Sequence, residues 1–229
     1  MTTASYQATI PGFAARGVDG AAALRSSVAL AREACARAGV DRPLWVAASV
    51  GPYGAMLADG SEYRGNYGLS VAELVAFHRP RLEILASAGP DVFALETCPD
   101  AREAEALLIA LEGLGVPAWL SFTVDDARTR AGQPLASAFG IAAGVDGLIA
   151  VGVNCCDPRD VGPAVRLAVE VTGKPAVAYP NSGETWDAAA RAWSGHPVPL
   201  DGWLPTEARL VGGCCRVMPD DIATIASRL

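Results

Sequence analysis

Three cysteines near the ends of two apolar stretches carry the clearest chemistry in this sequence. Cys155 closes Leu-Ile-Ala-Val-Gly-Val-Asn-Cys, and Cys214 and Cys215 close Arg-Leu-Val-Gly-Gly-Cys-Cys. Each stretch reads as a strand running into a tight turn. Three soft thiolates converging from a rigid frame suit zinc, with one coordination position open to a substrate. Adjacent side chains of a regular strand face opposite ways, so Cys214 and Cys215 can share a metal only if the chain turns there. Gly212 and Gly213 permit such a turn. Two plainer readings compete: packed thiols, and a vicinal disulfide.

The other candidate groups narrow the chemistry. Only two histidines exist, His78 in Ala-Phe-His-Arg-Pro and His196 in Gly-His-Pro, and both read as solvated surface residues. A hydrolytic zinc site draws on His and carboxylate ligands, whereas a thiolate site suits a sulfur substrate that the metal can hold as its thiolate. Glu96 ends the apolar run Val92-Phe-Ala-Leu-Glu. A carboxylate there needs solvent or a cation, either an arginine or the ammonium of a substrate. Cys98, just beyond, and Cys35, in an Ala-rich stretch, read as packing residues. Ser49-Val-Gly-Pro-Tyr-Gly-Ala is a turn whose Tyr53 ring could face a cation, or an ordinary strand-to-helix loop. No GxGxxG or Walker A pattern follows any strand.

These residues need a frame, and the hydrophobic pattern supplies one. Short apolar stretches predict strands at Leu44–Val50, Val92–Glu96, Ala118–Phe122, Gly147–Val153, Ala176–Tyr179 and Arg209–Val211, with the tail of another at Thr2–Ser5. Helical stretches alternate with them: Gly20–Ala38, Val71–Ala88, Ala101–Leu114, Leu135–Ala143, Arg159–Val171, Thr185–Trp193 and Pro219–Arg228. Ser70 with Glu73 makes a capping box, and Asp157-Pro158 marks another helix start. Such alternation implies a parallel α/β sheet, open or closed into a (β/α)8 barrel. The barrel is favoured because its strand ends meet at one face.

The bulk properties exclude several classes. The chain has 229 residues, 51% of them apolar, and a net charge of −7. That is one domain's worth of core, residues 1–229, without linker or repeat. Lys174 is the only lysine and no basic cluster occurs, which argues against a nucleic-acid partner. No apolar run reaches the roughly 18 residues of a membrane span. The start, Met-Thr-Thr-Ala-Ser-Tyr-Gln, lacks a signal peptide's basic and apolar regions, so a cytoplasmic, reducing location is expected, with thiols free or metal-bound.

The chain resembles the homocysteine S-methyltransferases, and within them the branch that uses S-methylmethionine. The resemblance rests on Thr-Ala-Ser-Tyr-Gln-Ala-Thr (3–9), Gly-Pro-Tyr-Gly-Ala (51–55), Leu-Glu-Thr-Cys-Pro (95–99), Gly-Val-Asn-Cys (152–155), Tyr-Pro-Asn-Ser-Gly-Glu (179–184) and Gly-Gly-Cys-Cys (212–215). It implies a (β/α)8 TIM barrel. It implies zinc held by Cys155, Cys214 and Cys215, with Cys156 an extra thiol. Glu96 would take the homocysteine amino group, and Asn154, Ser49, Tyr6 and Gln7 would line the pocket. It implies methyl transfer to homocysteine from S-methylmethionine or S-adenosylmethionine, by a monomer or homodimer acting on small molecules. Betaine as donor, selenocysteine as acceptor, and a non-catalytic thiol- or zinc-binding remnant are the alternatives. One departure stands out. Met1 lies directly before the first matching segment, so the family's first strand, its helix and most of its second strand have no counterpart, including an aspartate implied in homocysteine binding. A start codon placed too late and a true truncation are the two expectations for that shortfall.

Overall fold

The computed structural model describes residues 1–187, 190, 192–199, 202–204 and 207–228. Six parallel strands form one sheet: β1 (Ala47–Val50), β2 (Val92–Cys98), β3 (Ala118–Phe122), β6 (Leu148–Asn154), β7 (Ala176–Tyr179) and β10 (Ala208–Val211). Their spatial order follows the chain, as in consecutive staves of a (β/α)8 barrel. The order alone separates this sheet from a doubly wound one, where the strand order reverses. The predicted tail at Thr2–Ser5 is also real in part. Thr2 bridges Ala47 in parallel, and the Thr3 amide donates to the Ala47 carbonyl over 2.9 Å.

The helices are α1 (Ile10–Ala14), α2 (Gly20–Arg37), α3 (Tyr53–Leu57), α4 (Val71–Ser87), α5 (Ala101–Leu111), α6 (Leu135–Gly140), α7 (Pro158–Thr172) and α8 (Pro219–Ala226). Their starts follow the local chemistry. Ser70 and Glu73 form the expected capping box of α4, and Asp157 caps α7 ahead of Pro158. Among the described residues, no helix is long and apolar enough to cross a membrane.

Side-chain alternation divides the sheet into two faces. Ala48, Val50, Phe93, Leu95, Leu120, Phe122, Val151 and Val153 face the helices and form the main core with Leu24, Leu82, Leu107 and Val165. The opposite face carries Ala47, Val92, Ala94 and Trp119, and towards the C-terminal strand ends it turns polar. That polar end holds the candidate site.

One predicted helix is absent. Thr185–Asp187 (β8) and Ala192–Ser194 (β9) pair antiparallel as a hairpin; residues 188, 189 and 191 lie outside the described residues. The Trp186 and Trp193 rings meet across it at 5.3 Å between centroids. That cross-strand aromatic pair outweighs the helix propensity of the intervening alanines. A second two-stranded hairpin joins β4 (Val124–Asp125) to β5 (Arg128–Thr129).

Candidate metal centre and substrate site

Cys155 follows β6, and Cys214 and Cys215 follow β10, so parallel strands bring all three to one edge of the sheet. The three sulfurs lie within 4.8 Å of one another, and Cys155 Sγ is 3.8 Å from Cys215 Sγ. Zinc–sulfur bonds of about 2.3 Å at tetrahedral angles set sulfurs about 3.8 Å apart, so the donor set fits a thiolate-bound metal. Hydrogen bonds with Cys155 and Cys214 lower the Cys215 thiol from its ordinary range, and those with Cys155, then Cys215, push Cys214 up.

The backbone aims these sulfurs. Cys155 takes a left-handed conformation at φ 52°, its amide donating to the Tyr179 carbonyl over 3.2 Å. Thr123 Oγ1 donates to the Cys155 carbonyl over 3.1 Å. The turn that lets Cys214 and Cys215 share a site was expected at the glycines. It lies one step later: Arg216 has φ 68°, and the Val217 amide donates to the Cys214 carbonyl over 3.1 Å. The loop after β7 secures it. Cys214 N donates to the Pro180 carbonyl over 2.7 Å, and Cys215 N to Asn181 Oδ1 over 3.1 Å. Arg216 pairs with Glu184 at 3.2 Å. Cys156 stays in the core at 1% exposure, outside the sulfur group, and Cys98 is fully buried packing.

Beside the sulfurs lies a buried carboxylate. Glu96, 8% exposed, accepts from the Ser49 hydroxyl at Oε1 and from the Tyr179 hydroxyl at Oε2, the latter over 2.9 Å. Burial pushes its carboxyl up, and these two donors pull it back. Among the described residues no arginine pairs with it; its partners are the two hydroxyls. Asn154 links the carboxylate strand to the cysteine strand. Its Oδ1 accepts from the Thr97 amide and the Ser121 hydroxyl, each at 2.7 Å, and its Nδ2 donates to Thr97 Oγ1 over 2.8 Å. Thr97 is itself left-handed at φ 61°, a conformation this clamp maintains.

Ser49 is fixed from the N-terminal segment. Thr3 Oγ1 accepts from its amide over 2.9 Å, and the Ser5 hydroxyl donates to its carbonyl over 2.7 Å. Tyr6 packs its ring on Gly51, and its buried hydroxyl has no hydrogen-bond partner. Burial, then the charge of Cys155, raises that phenol. Gln7 is exposed; its amide donates to the Ala55 carbonyl over 3.1 Å, in a surface cleft of about 470 Å3 shared with Tyr6, Phe13, Arg16 and Met56.

Of the two readings open for Tyr53, the packed one fits its contacts: its ring joins an aromatic cluster with Phe77 at 4.9 Å and Tyr67 at 5.2 Å. One expectation needs correction. His78 is not solvated but fully buried between Glu103 and Arg81, 25 residues and three residues away in sequence. His196 is exposed, as expected. Residues that sequence reasoning left without a role are Tyr63, Thr97, Ser121, Tyr179 and Asn181. Thr97, Tyr179 and Asn181 sat inside quoted motifs; Tyr63 and Ser121 carried no signal.

The homocysteine S-methyltransferase family model matches residues 1–229. The chain belongs to this family. It is 45% identical over 242 residues to the homocysteine S-methyltransferase of Escherichia coli K12, covering 99% of this chain and 78% of that protein. It is 42% identical over 258 residues to the selenocysteine methyltransferase of Astragalus bisulcatus, covering 98% and 76%. The crystal structure of the E. coli homocysteine methyltransferase MmuM in its metallated form superposes with a TM-score of 0.85 at 43% identity, covering 100% of this chain and 78% of that one.

Proposed function

We propose that this chain transfers a methyl group from S-methylmethionine to the thiol of homocysteine, giving methionine, with zinc held by Cys155, Cys214 and Cys215. The observation that carries this reading is the thiol triad beside a buried carboxylate, 3.8 Å between two sulfurs and two hydroxyl donors on Glu96. The selenocysteine and homocysteine enzymes among its relatives share a soft chalcogen nucleophile, which supports the same acceptor chemistry here. When bound, zinc supplies a Lewis acid that favours the substrate sulfur as its thiolate near neutral pH.

The chain's own residues do the rest by alignment. Glu96 takes the amino acid ammonium, and Ser49 and Tyr179 hold its carboxylate in place. Asn154 fixes the spacing between that seat and Cys155 through Thr97. Tyr6 lines the donor side. The methyl passes in line from the sulfonium sulfur to the homocysteine sulfur; the old C–S pair stays with the departing thioether, and the thiol proton goes to solvent. No general base is required.

Purified protein incubated with homocysteine and S-methylmethionine should form methionine, and the same sample should carry zinc. S-adenosylmethionine and betaine as donors, and selenocysteine as acceptor, are parallel arms that set the donor and acceptor. Zinc present without product from any donor would replace this reading with a non-catalytic metal-binding one.

A further inference from the structure

Tyr63 sits on a short 3-10 turn, Ser61–Tyr63, between α3 and α4, remote in sequence from every cysteine of the site. The turn is anchored on two sides. Gly54 of α3 lets it approach closely: a Cβ there would meet Glu62 N at 2.4 Å. On the other side the Asn66 amide donates to Asp100 Oδ2 over 3.2 Å, which ties the segment to the start of α5. Tyr63 is 40% exposed overall, yet its hydroxyl points inward, 3.0 Å from Cys155 Sγ. Among the described residues, no other O–H or N–H group is within hydrogen-bond distance of that sulfur.

When Cys155 is a thiolate it has no proton to give, so the phenol is the donor. A phenol, with an ordinary pKa of about 10, keeps its proton at neutral pH and can fill that role. A hydrogen bond to a ligand sulfur orients it and draws charge from it, as outer-shell partners do at metal centres generally.

We infer that Tyr63 is a positioning residue of the metal centre, its hydroxyl donating to the Cys155 thiolate and fixing that ligand towards Cys214 and Cys215. The inference rests on the proposed metal-binding role of the three cysteines. Neither motif matching nor strand-end position singles this residue out.

The test is a cobalt(II) titration of the metal-stripped full chain, read by thiolate-to-cobalt charge-transfer absorption and by competition with a chelator, for wild type and Tyr63→Phe. Loss of the hydrogen bond should weaken cobalt binding roughly 10- to 100-fold. It should also move the charge-transfer band to longer wavelength, because the sulfur lone pair is no longer stabilised. Thermal unfolding of both stripped proteins checks that the variant is folded, and a folded variant with wild-type affinity and an unmoved band overturns the assignment of Tyr63 alone. A wild type with no charge-transfer band removes the metal-binding reading and this inference together. Should Tyr63→Phe fail to fold, Gly54→Ala serves instead: displacing the turn should weaken cobalt binding in the same direction, and unchanged binding there also overturns the inference.

Discussion

The Tyr179 hydroxyl donates to Glu96 Oε2 over 2.9 Å, across 83 residues of sequence. The same oxygen accepts from Trp119 Nε1 over 2.8 Å and lies 2.8 Å from Ser121 Oγ. β2, β3 and β7 therefore converge on one phenol, which orients the carboxylate assigned to the substrate ammonium. Tyr179→Phe keeps the ring and removes the donor. A hydrogen bond to a charged group contributes about 1.5–3 kcal/mol. The expected outcome is a homocysteine KM raised roughly 10- to 100-fold with zinc content unchanged. Unchanged homocysteine saturation in this variant would take Glu96 out of the acceptor site.

The two cysteine pairs separate ligand from core thiol. Cys214→Ala removes one of three sulfurs within 4.8 Å, so the purified variant should lose most of its zinc and its methyl transfer together. Cys156→Ala changes a side chain that is 1% exposed in the main core, so it should lower stability while keeping zinc. Metal analysis after dialysis decides the matter. Full zinc in Cys214→Ala, or loss in a folded Cys156→Ala, reverses the ligand assignment.

Gly152 tests the coupling between fold and site. It pairs with Val177 in the sheet, and a Cβ at this position would fall 1.9 Å from the Val177 carbonyl oxygen. The obstacle is backbone, which cannot rotate away. Gly152→Ala should therefore part β6 from β7 just below Cys155, giving a midpoint of thermal unfolding lowered by more than 10 °C or an insoluble product. A variant that unfolds at the wild-type temperature would show that the β6–β7 register is different.

Much of this molecule was legible from short-range pattern. Ala118–Phe122 and Ala176–Tyr179 are strands with the expected bounds, because apolar runs bounded by Pro or Gly leave little else possible. The sulfur triad was legible because its members end strands of a parallel sheet. What escaped depends on partners distant in the chain. The 185–193 segment needed the Trp186–Trp193 pairing, which no helix propensity reveals. Ser121 and Tyr179 needed the strand register that places both on the face of Glu96. His78 looked solvated because Glu103 lies on the next helix.

That buried histidine gives a pH prediction. Arg81 donates to His78 Nδ1 over 2.8 Å, so Nδ1 accepts, and Nε2–H donates to Glu103 Oε1 over 2.9 Å. The ring is therefore neutral, with its proton on Nε2. Protonating Nδ1 would remove the acceptor and set two cations together inside the protein. Burial first, then the Arg81 charge, lowers the imidazole from 6.5 to about 4, with Glu103 opposing both. Cys98 and Tyr67 lie on the Glu103 side of the cluster and stay neutral, pushed up by burial. The unfolded chain thus binds a proton that the folded chain refuses between these two values. Stability is full above about pH 6.5 and falls as pH drops towards 4, by on the order of 3 kcal/mol from this group. Urea unfolding of wild type between pH 4 and pH 7 should show that slope, and His78→Gln should flatten it. Asp91 and Asp157, held below the usual carboxylate range by Arg32 and Arg159, lose their contribution only at lower pH. Glu96 and Asp160, both pushed up by burial, oppose the slope in wild type and variant alike, so the difference between the two proteins isolates His78. An equal slope in wild type and His78→Gln would mean that His78 is already protonated, or solvated, in the folded protein.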